Sequence, residues 1–168
     1  RRYDGDPHHH IMLLERGELD GDLGKLFNRG FFNGKSLLKK VDFAEHLLKI
    51  GRALATCGIV WGDVKPGNFV KFQITGDYIY KSIDFDSSRR DVGPGASQHG
   101  PQNISDKYTK DDPTAMVTPG YIAPERAVAI TRGNDIDADS RQDVFVFGLV
   151  IYQVFAMKPY FKAEDVEN

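Results

Sequence analysis

The chain has 168 residues, a formal net charge of −2 and a pI near 6.2, so nothing in its overall charge pulls it toward nucleic acid or an anionic membrane. Apolar residues make up 40%, too many for a disordered chain, and the lone cysteine, Cys57, excludes an internal disulfide framework. The opening RRYDGDPHHH has no apolar leader segment, and with the unpaired cysteine this sets the expectation of an intracellular protein, cytoplasmic or nuclear, with no nucleic-acid or membrane partner.

In chain order, His8, His9 and His10 come first; three adjacent histidines cannot all converge on one ion, so they read as a loop or strand entry. The run IMLLE at 11–15 predicts a short buried strand. Asp20 and Asp22, ahead of Leu23, Leu26 and Phe27, predict a short amphipathic helix with acidic residues at its start. Asn33-Gly34 marks a turn. Leu37, Val41, Ala44, Leu48, Gly51 and Ala55 then recur at helical spacing, predicting a long helix with that apolar face, ended by Gly58. FVKFQI and YIYKSI flank Thr75-Gly76-Asp77 and predict a β-hairpin. Residues 87–117 are rich in Gly, Ser, Asp, Pro and Thr and predict a long flexible segment. VFVFGLVIY at 144–152 is apolar on every face. With the residues to Met157 it is too short and too interrupted by Gln153 to span a bilayer, so it predicts a buried central helix that Lys158-Pro159 ends.

Two loops carry the chemistry. WGDVKPGN places Asp63, Lys65 and Asn68 just before the first hairpin strand, and IDFD places Asp84 just after the second. The hairpin brings these loops side by side, gathering two carboxylates, an amide and a lysine at one rim. Phosphoryl transfer needs such a set. A carboxylate orients the acceptor hydroxyl, oxygen ligands hold Mg²⁺ on the phosphates, and a cation offsets charge on the transferred group.

These motifs resemble the C-terminal lobe of eukaryotic protein kinases of the Ser/Thr type, over nearly the whole chain. Residues 59–70 look like the catalytic loop, Asp84-Phe85-Asp86 like the metal-binding motif, TPGYIAPE at 118–125 like the end of the activation segment, and DVFVFG at 143–148 like the start of the buried helix F. The resemblance implies an α+β protein-kinase-like fold, mainly helical with one short hairpin and with the N-lobe largely absent. The chain would be a partial kinase domain running from the hinge strand through helix F, with 87–117 as a long flexible activation segment. It implies ATP and Mg²⁺ as cofactors and a protein substrate with a Ser or Thr acceptor. Asp63 resembles the catalytic base, Lys65 the lysine on the transferred phosphate, and Thr118 the threonine that ties the substrate loop to them. Asn68 and Asp84 resemble the Mg²⁺ ligands. Leu14, Glu15, Gly17, Asp22 and Val70 resemble the nucleotide-binding positions, with Leu23, Val150 and Val154 lining or supporting the adenine pocket or simply forming core.

The departures from the family also carry expectations. Trp61-Gly62 stands where the family has His-Arg; Trp61 can still pack on Phe85, whereas Gly62 removes the arginine that grips a phosphorylated loop. Asp86 replaces the glycine of the metal motif, as a restraint on its flipping, a further carboxylate near the metal or a turn cap. Arg89, Arg90, Gly93, Pro94 and Gly95 lie in an activation segment longer than is usual for the family. No glycine-rich phosphate loop, strand lysine or helix-C glutamate is present among the 168 residues, so the chain alone is expected to be inactive, with Glu125 buried without its arginine and the helix after Asp143 partly uncovered. Two other readings stay open. Gly62 and the IDFD motif also suit a small-molecule phosphotransferase of the aminoglycoside- or choline-kinase type, and a pseudokinase scaffold would retain the same fold.

Overall fold

The structure, a computed structural model, describes residues 15–75, 77–98, 100–112 and 117–161. Leu14 and all but the last residue of the expected 11–15 strand lie outside the described residues, as does the histidine run. The fold is α+β. Among the described residues, four α-helices are joined by three antiparallel pairs of short strands.

Helix α1 (Leu23–Asn28) starts where expected, because the Asp22 carboxylate caps it by accepting from the Lys25 N–H at 2.9 Å. Helix α2 (Leu37–Thr56) is capped by Ser36 and ends before Gly58, whose φ of +67° is the left-handed conformation that a glycine adopts without strain. Its buried stripe differs from the expected one. Phe43, Ala44 and Leu47 are buried, with Ile50 and Leu54 packed beside them, whereas Leu37 and Val41 are exposed and Leu48 is 52% exposed. The physical reason is Phe43. Its ring meets Phe32 and Tyr80 edge-on at 4.9 and 4.7 Å, and burying one large aromatic outweighs the smaller apolar side chains on the adjoining face. Gly51 belongs to both stripes and meets Phe147, so α2 and α4 approach closely there.

Strand β1 (Ile59–Val60) leads into the loop at 61–65 and a single 3₁₀ turn, Pro66–Asn68. Strands β2 (Phe69–Ile74) and β3 (Asp77–Ser82) form the expected hairpin, with Phe69 opposite Ser82 and Ile74 opposite Asp77. Between residues 87 and 138 lie β4 (Arg89–Arg90), paired to β1, and β5 (Lys107–Tyr108), paired to β6 (Ile136–Asp137). Helix α3 (Pro124–Thr131) intervenes, with Pro124 at its first turn.

Helix α4 (Ser140–Ala156) buries Val146, Phe147, Leu149, Val150 and Val154. All of these but Leu149 join Leu23, Leu47, Trp61, Val64, Phe69 and Tyr80 in one core. Among the described residues α4 is buried on one side only, with the partial exposure expected of it in the chain alone. Val144 is 67% exposed and Phe145, Tyr152 and Phe155 also face outward, leaving an uncovered apolar side. Glu125 is exposed rather than buried, because it lies on the outer face of the first turn of α3 while Arg126 turns inward.

Candidate active site at the 61–68 loop

The loop alternates. Val64 is buried and anchors the backbone, which turns Asp63 and Lys65 toward the open side. The Asp63 carboxylate is the hub. Lys65 Nζ donates to its Oδ2 at 2.6 Å, Asn68 Nδ2 donates to the same oxygen and to the Asp63 carbonyl at 2.9 Å each, and Thr118 Oγ1 donates to Oδ1 at 3.3 Å. The 3₁₀ turn sets this spacing. Pro66 pre-forms its first residue, and the Asn68 N–H closes it on the Lys65 carbonyl at 3.0 Å. Thr118, fifty-five residues away in sequence, is brought in by its own segment. The Tyr121 N–H returns to the Thr118 carbonyl at 2.9 Å, and the Tyr121 hydroxyl donates to Gln153 on α4.

The backbone of the loop is gripped from beneath. Asp143, on the first turn of α4, accepts from the Trp61 N–H at 2.6 Å and the Gly62 N–H at 3.0 Å. Burial pushes its carboxyl up to about 6, against the pull of these two bonds and of nearby Arg126. Asp143 and Gln153 carry positioning roles that the sequence reading did not assign. Their signal was present in outline as one acid and one amide set within the apolar run 143–157.

Asp84 lies next door through the hairpin ladder, since the Ile83 N–H donates to the Asn68 carbonyl at 3.0 Å. Its backbone is fixed. The Asp84 carbonyl accepts from the Trp61 indole at 2.7 Å, and Phe85 stacks on Trp61 with ring centroids 5.6 Å apart and planes 26° from parallel, the contact expected from the aromatic at position 61. The Asp84 side chain is exposed and makes no hydrogen bond or ion pair among the described residues. Asp86 enters the turn closed by the Ser88 N–H on the Phe85 carbonyl at 2.9 Å; its carboxylate caps nothing among the described residues. No group of three or more His, Cys, Asp and Glu side chains suited to a metal gathers among the described residues. The Asn68 amide oxygen is left for other partners because the amide nitrogen faces Asp63, and the exposed Asp84 carboxylate is on the adjoining loop.

Gly17, Asp22 and Val70 gather along β2, and Glu15 lies beside them at Lys81 of β3. The Glu18 N–H donates to the Lys71 carbonyl at 2.8 Å, the Lys71 N–H to the Gly21 carbonyl at 3.0 Å, and Asp22 bridges Val70. Gly17 sits so tightly on Val70 that a side chain there would overlap it. The Asp22 carboxylate is engaged with the α1 cap and Lys25, and Glu15 pairs with Lys81. Leu23, Val150 and Val154 are fully buried core.

None of the protein-family models matches the chain. Curated relatives do. Serine/threonine-protein kinase PKH1 of Saccharomyces cerevisiae is 28% identical over 123 residues, 73% of this chain and 15% of that protein. Serine/threonine-protein kinase MPS1 of the same yeast is 26% identical over 166 residues, 94% of this chain and 19% of that protein. Serine/threonine-protein kinase PknB of Mycobacterium tuberculosis is 32% identical over 110 residues, 64% of this chain and 14% of that protein. The chain therefore spans a fifth or less of the length of each of these three relatives.

Proposed function

We propose that this relative of the serine/threonine-protein kinases forms the substrate-side half of a phosphotransferase site. Its reaction would move the γ-phosphoryl group of ATP to a Ser or Thr hydroxyl of a protein. The observation that carries this reading is the Asp63 carboxylate shared among Lys65, Asn68 and Thr118. Three donors on one carboxylate fix its orientation. Held in this way, Asp63 can accept and orient an incoming hydroxyl proton. Lys65 supplies positive charge beside it, where charge on the transferred group needs an offset.

The Asn68 amide oxygen and the exposed Asp84 carboxylate suit a small hard cation, and Mg²⁺ is the one implied by phosphate chemistry. When bound, Mg²⁺ would neutralise phosphate charge. Thr118 ties the 118–125 segment to Asp63, so an extended peptide laid on that segment would present its hydroxyl to the carboxylate. Glu15, Gly17, Asp22 and Val70 are assigned to the nucleotide side, with Leu14 as the residue beyond them. The absence of a bulky side chain at Gly17 fits close approach of the backbone to a flat base, although the engagement of Asp22 with Lys25 competes with a ribose contact. No described helix is long and apolar enough to cross a membrane.

The test is a peptide library offered with Mg-ATP to the full-length protein. Labelling of Ser and Thr peptides that is lost in Asp63→Asn is the expected result. Transfer to an aminoglycoside or choline without peptide labelling would favour the small-molecule reading, and no transfer to any acceptor would favour a scaffold.

A further inference from the structure

Gly62 stands beside Asp63 with a φ of +79°, and a Cβ built there would overlap the Tyr108 hydroxyl and lie 2.8 Å from the Ser87 carbonyl. The space that a side chain at position 62 would take is thus occupied by Tyr108, forty-six residues further along. Tyr108 is 4% exposed and packs with Val60 and Ala138. Two arginine side chains, both as buried as the tyrosine, lie over its ring, Arg126 at 3.7 Å from the centroid and Arg89 at 5.1 Å. Each guanidinium is tied onward. Arg126 donates to the Gly62 carbonyl. Arg89 donates to the Lys107 and Ser88 carbonyls at 3.0 and 2.9 Å and pairs with Asp112.

We propose that Tyr108 is a positioning residue for Asp63, acting through Arg126 and Gly62. The inference rests on the phosphotransfer reading of Asp63 given above. The peptide units flanking Gly62 are held at both ends, by Asp143 on the Trp61 and Gly62 N–H groups and by Arg126 on the Gly62 carbonyl. Asp143 is fixed by its own helix. Arg126 is a long side chain that would sample many rotamers without the aromatic face beneath it. The tyrosine ring restricts it to the rotamer that reaches Gly62. Asp112 balances the second buried guanidinium, so the assembly carries its own counter-charge. A fixed carboxylate thereby sits on Arg89 without any modification of the loop.

The test uses the full-length protein with three substitutions and two readouts, steady-state kinetics and amide exchange at residues 61–63. Tyr108→Leu removes the aromatic face and is expected to lower kcat about tenfold or more with KM for ATP little changed, since only the alignment of the carboxylate is lost. Tyr108→Phe keeps the face and is expected to restore wild-type kcat; the hydroxyl it removes has no hydrogen-bond partner among the described residues. Asp112→Asn should lower kcat to a smaller degree in the same pattern. Exchange at the Trp61 and Gly62 amides should rise in Tyr108→Leu and Asp112→Asn but not in Tyr108→Phe. Unchanged exchange and kcat in Tyr108→Leu would overturn the proposal; if that variant does not fold, the same outcome in Asp112→Asn would do so. A wild-type protein that transfers no phosphate, yet shows the exchange pattern, would remove the phosphotransfer reading and leave the clamp standing.

Discussion

Asp63 and Asp84 sit on adjoining loops, yet the protein holds them in opposite ways. Asp63 is held by its side chain, with three donors on the carboxylate. Asp84 is held by its backbone, through the Trp61 indole on its carbonyl and the stacked Phe85, while its carboxylate is exposed. Its φ of +61° is a conformation that aspartate tolerates better than most residues. On the proposed function, the contrast separates two tasks. A group that must aim at one atom is pre-oriented by the fold. A group that must adapt to a ligand is placed by its main chain, with its charged end uncommitted.

The sharpest way to break this comparison is to neutralise each carboxylate in turn. Asp63→Asn is expected to lower kcat by about 10²–10⁴, the range for loss of a general base, with binding of ATP retained. Asp84→Asn, which keeps the left-handed backbone, is expected to abolish Mg²⁺-dependent turnover. It should leave unfolding free energy within about 0.5 kcal/mol of wild type, because the exposed side chain supports nothing in the fold. Wild-type turnover by that variant would overturn the proposed role of Asp84 as a metal ligand. Asn68→Ala, by contrast, should cost stability as well as activity. It leaves the Asp63 carbonyl and carboxylate short of a donor at a site where Asn68 is 5% exposed, for about 1–3 kcal/mol in urea unfolding.

A pH series on Asp143→Asn sharpens the view from beneath the loop. The folded pKa of Asp143, about 6, lies above the unfolded value of about 3.9, so the folded state binds the extra proton. Its stabilising contribution is complete below about pH 4, declines as pH rises toward about 6 and is constant beyond, a span of about 3 kcal/mol. Wild-type stability measured relative to Asp143→Asn should therefore fall across that interval and then level. A relative stability that rises with pH would show that the ionised carboxylate is the better partner for the two N–H groups. The smallest effect is expected from Thr109→Ala, on an exposed residue of the 87–117 segment. Without an arginine at position 62, and with Arg89 already paired to Asp112, basal kcat should stay within a few-fold; a collapse rescued by Thr109→Glu would assign phosphate sensing to a cation elsewhere.

Local chemistry made much of this legible in the sequence. The hairpin, the cap of α1 and the Gly58 stop of α2 depend on neighbours within a few residues, and the 61–68 loop carries its geometry in Gly62, Pro66 and Asn68. The buried face of α2 was not legible, because its 20 residues carry two overlapping apolar stripes and only Phe32 and Tyr80, supplied by other elements, decide between them. The same holds for the Tyr108 contacts. Nothing near residue 108 announces that its ring fills the space beside Gly62, and the arginines over it come from positions 89 and 126. Composition at 87–117 predicts flexibility, and flexibility there stays a proposal. The described part nevertheless contains two strands and a buried arginine, since backbone groups can find partners across long sequence separations without apolar side chains.

Those separations also set an order of assembly. The β2–β3 hairpin pairs residues close in sequence and α2 forms on its own residues, so both can appear early. The β1–β4 pairing waits for residue 90 to return to residue 59, and β5–β6 for residue 137 to return to residue 107, each for only two residues of ladder. Closing such loops costs chain entropy that two residues cannot offset alone, so these strands have to form on an already collapsed α2–hairpin–α4 core. The Asp63 loop hangs between the two regimes, with its N–H groups on α4 and its carbonyl on Arg126. Competence for catalysis would then be the last property the chain acquires on folding. In pulsed exchange during refolding, amides of β2 and β3 should be protected before those of Arg90 and Asp91.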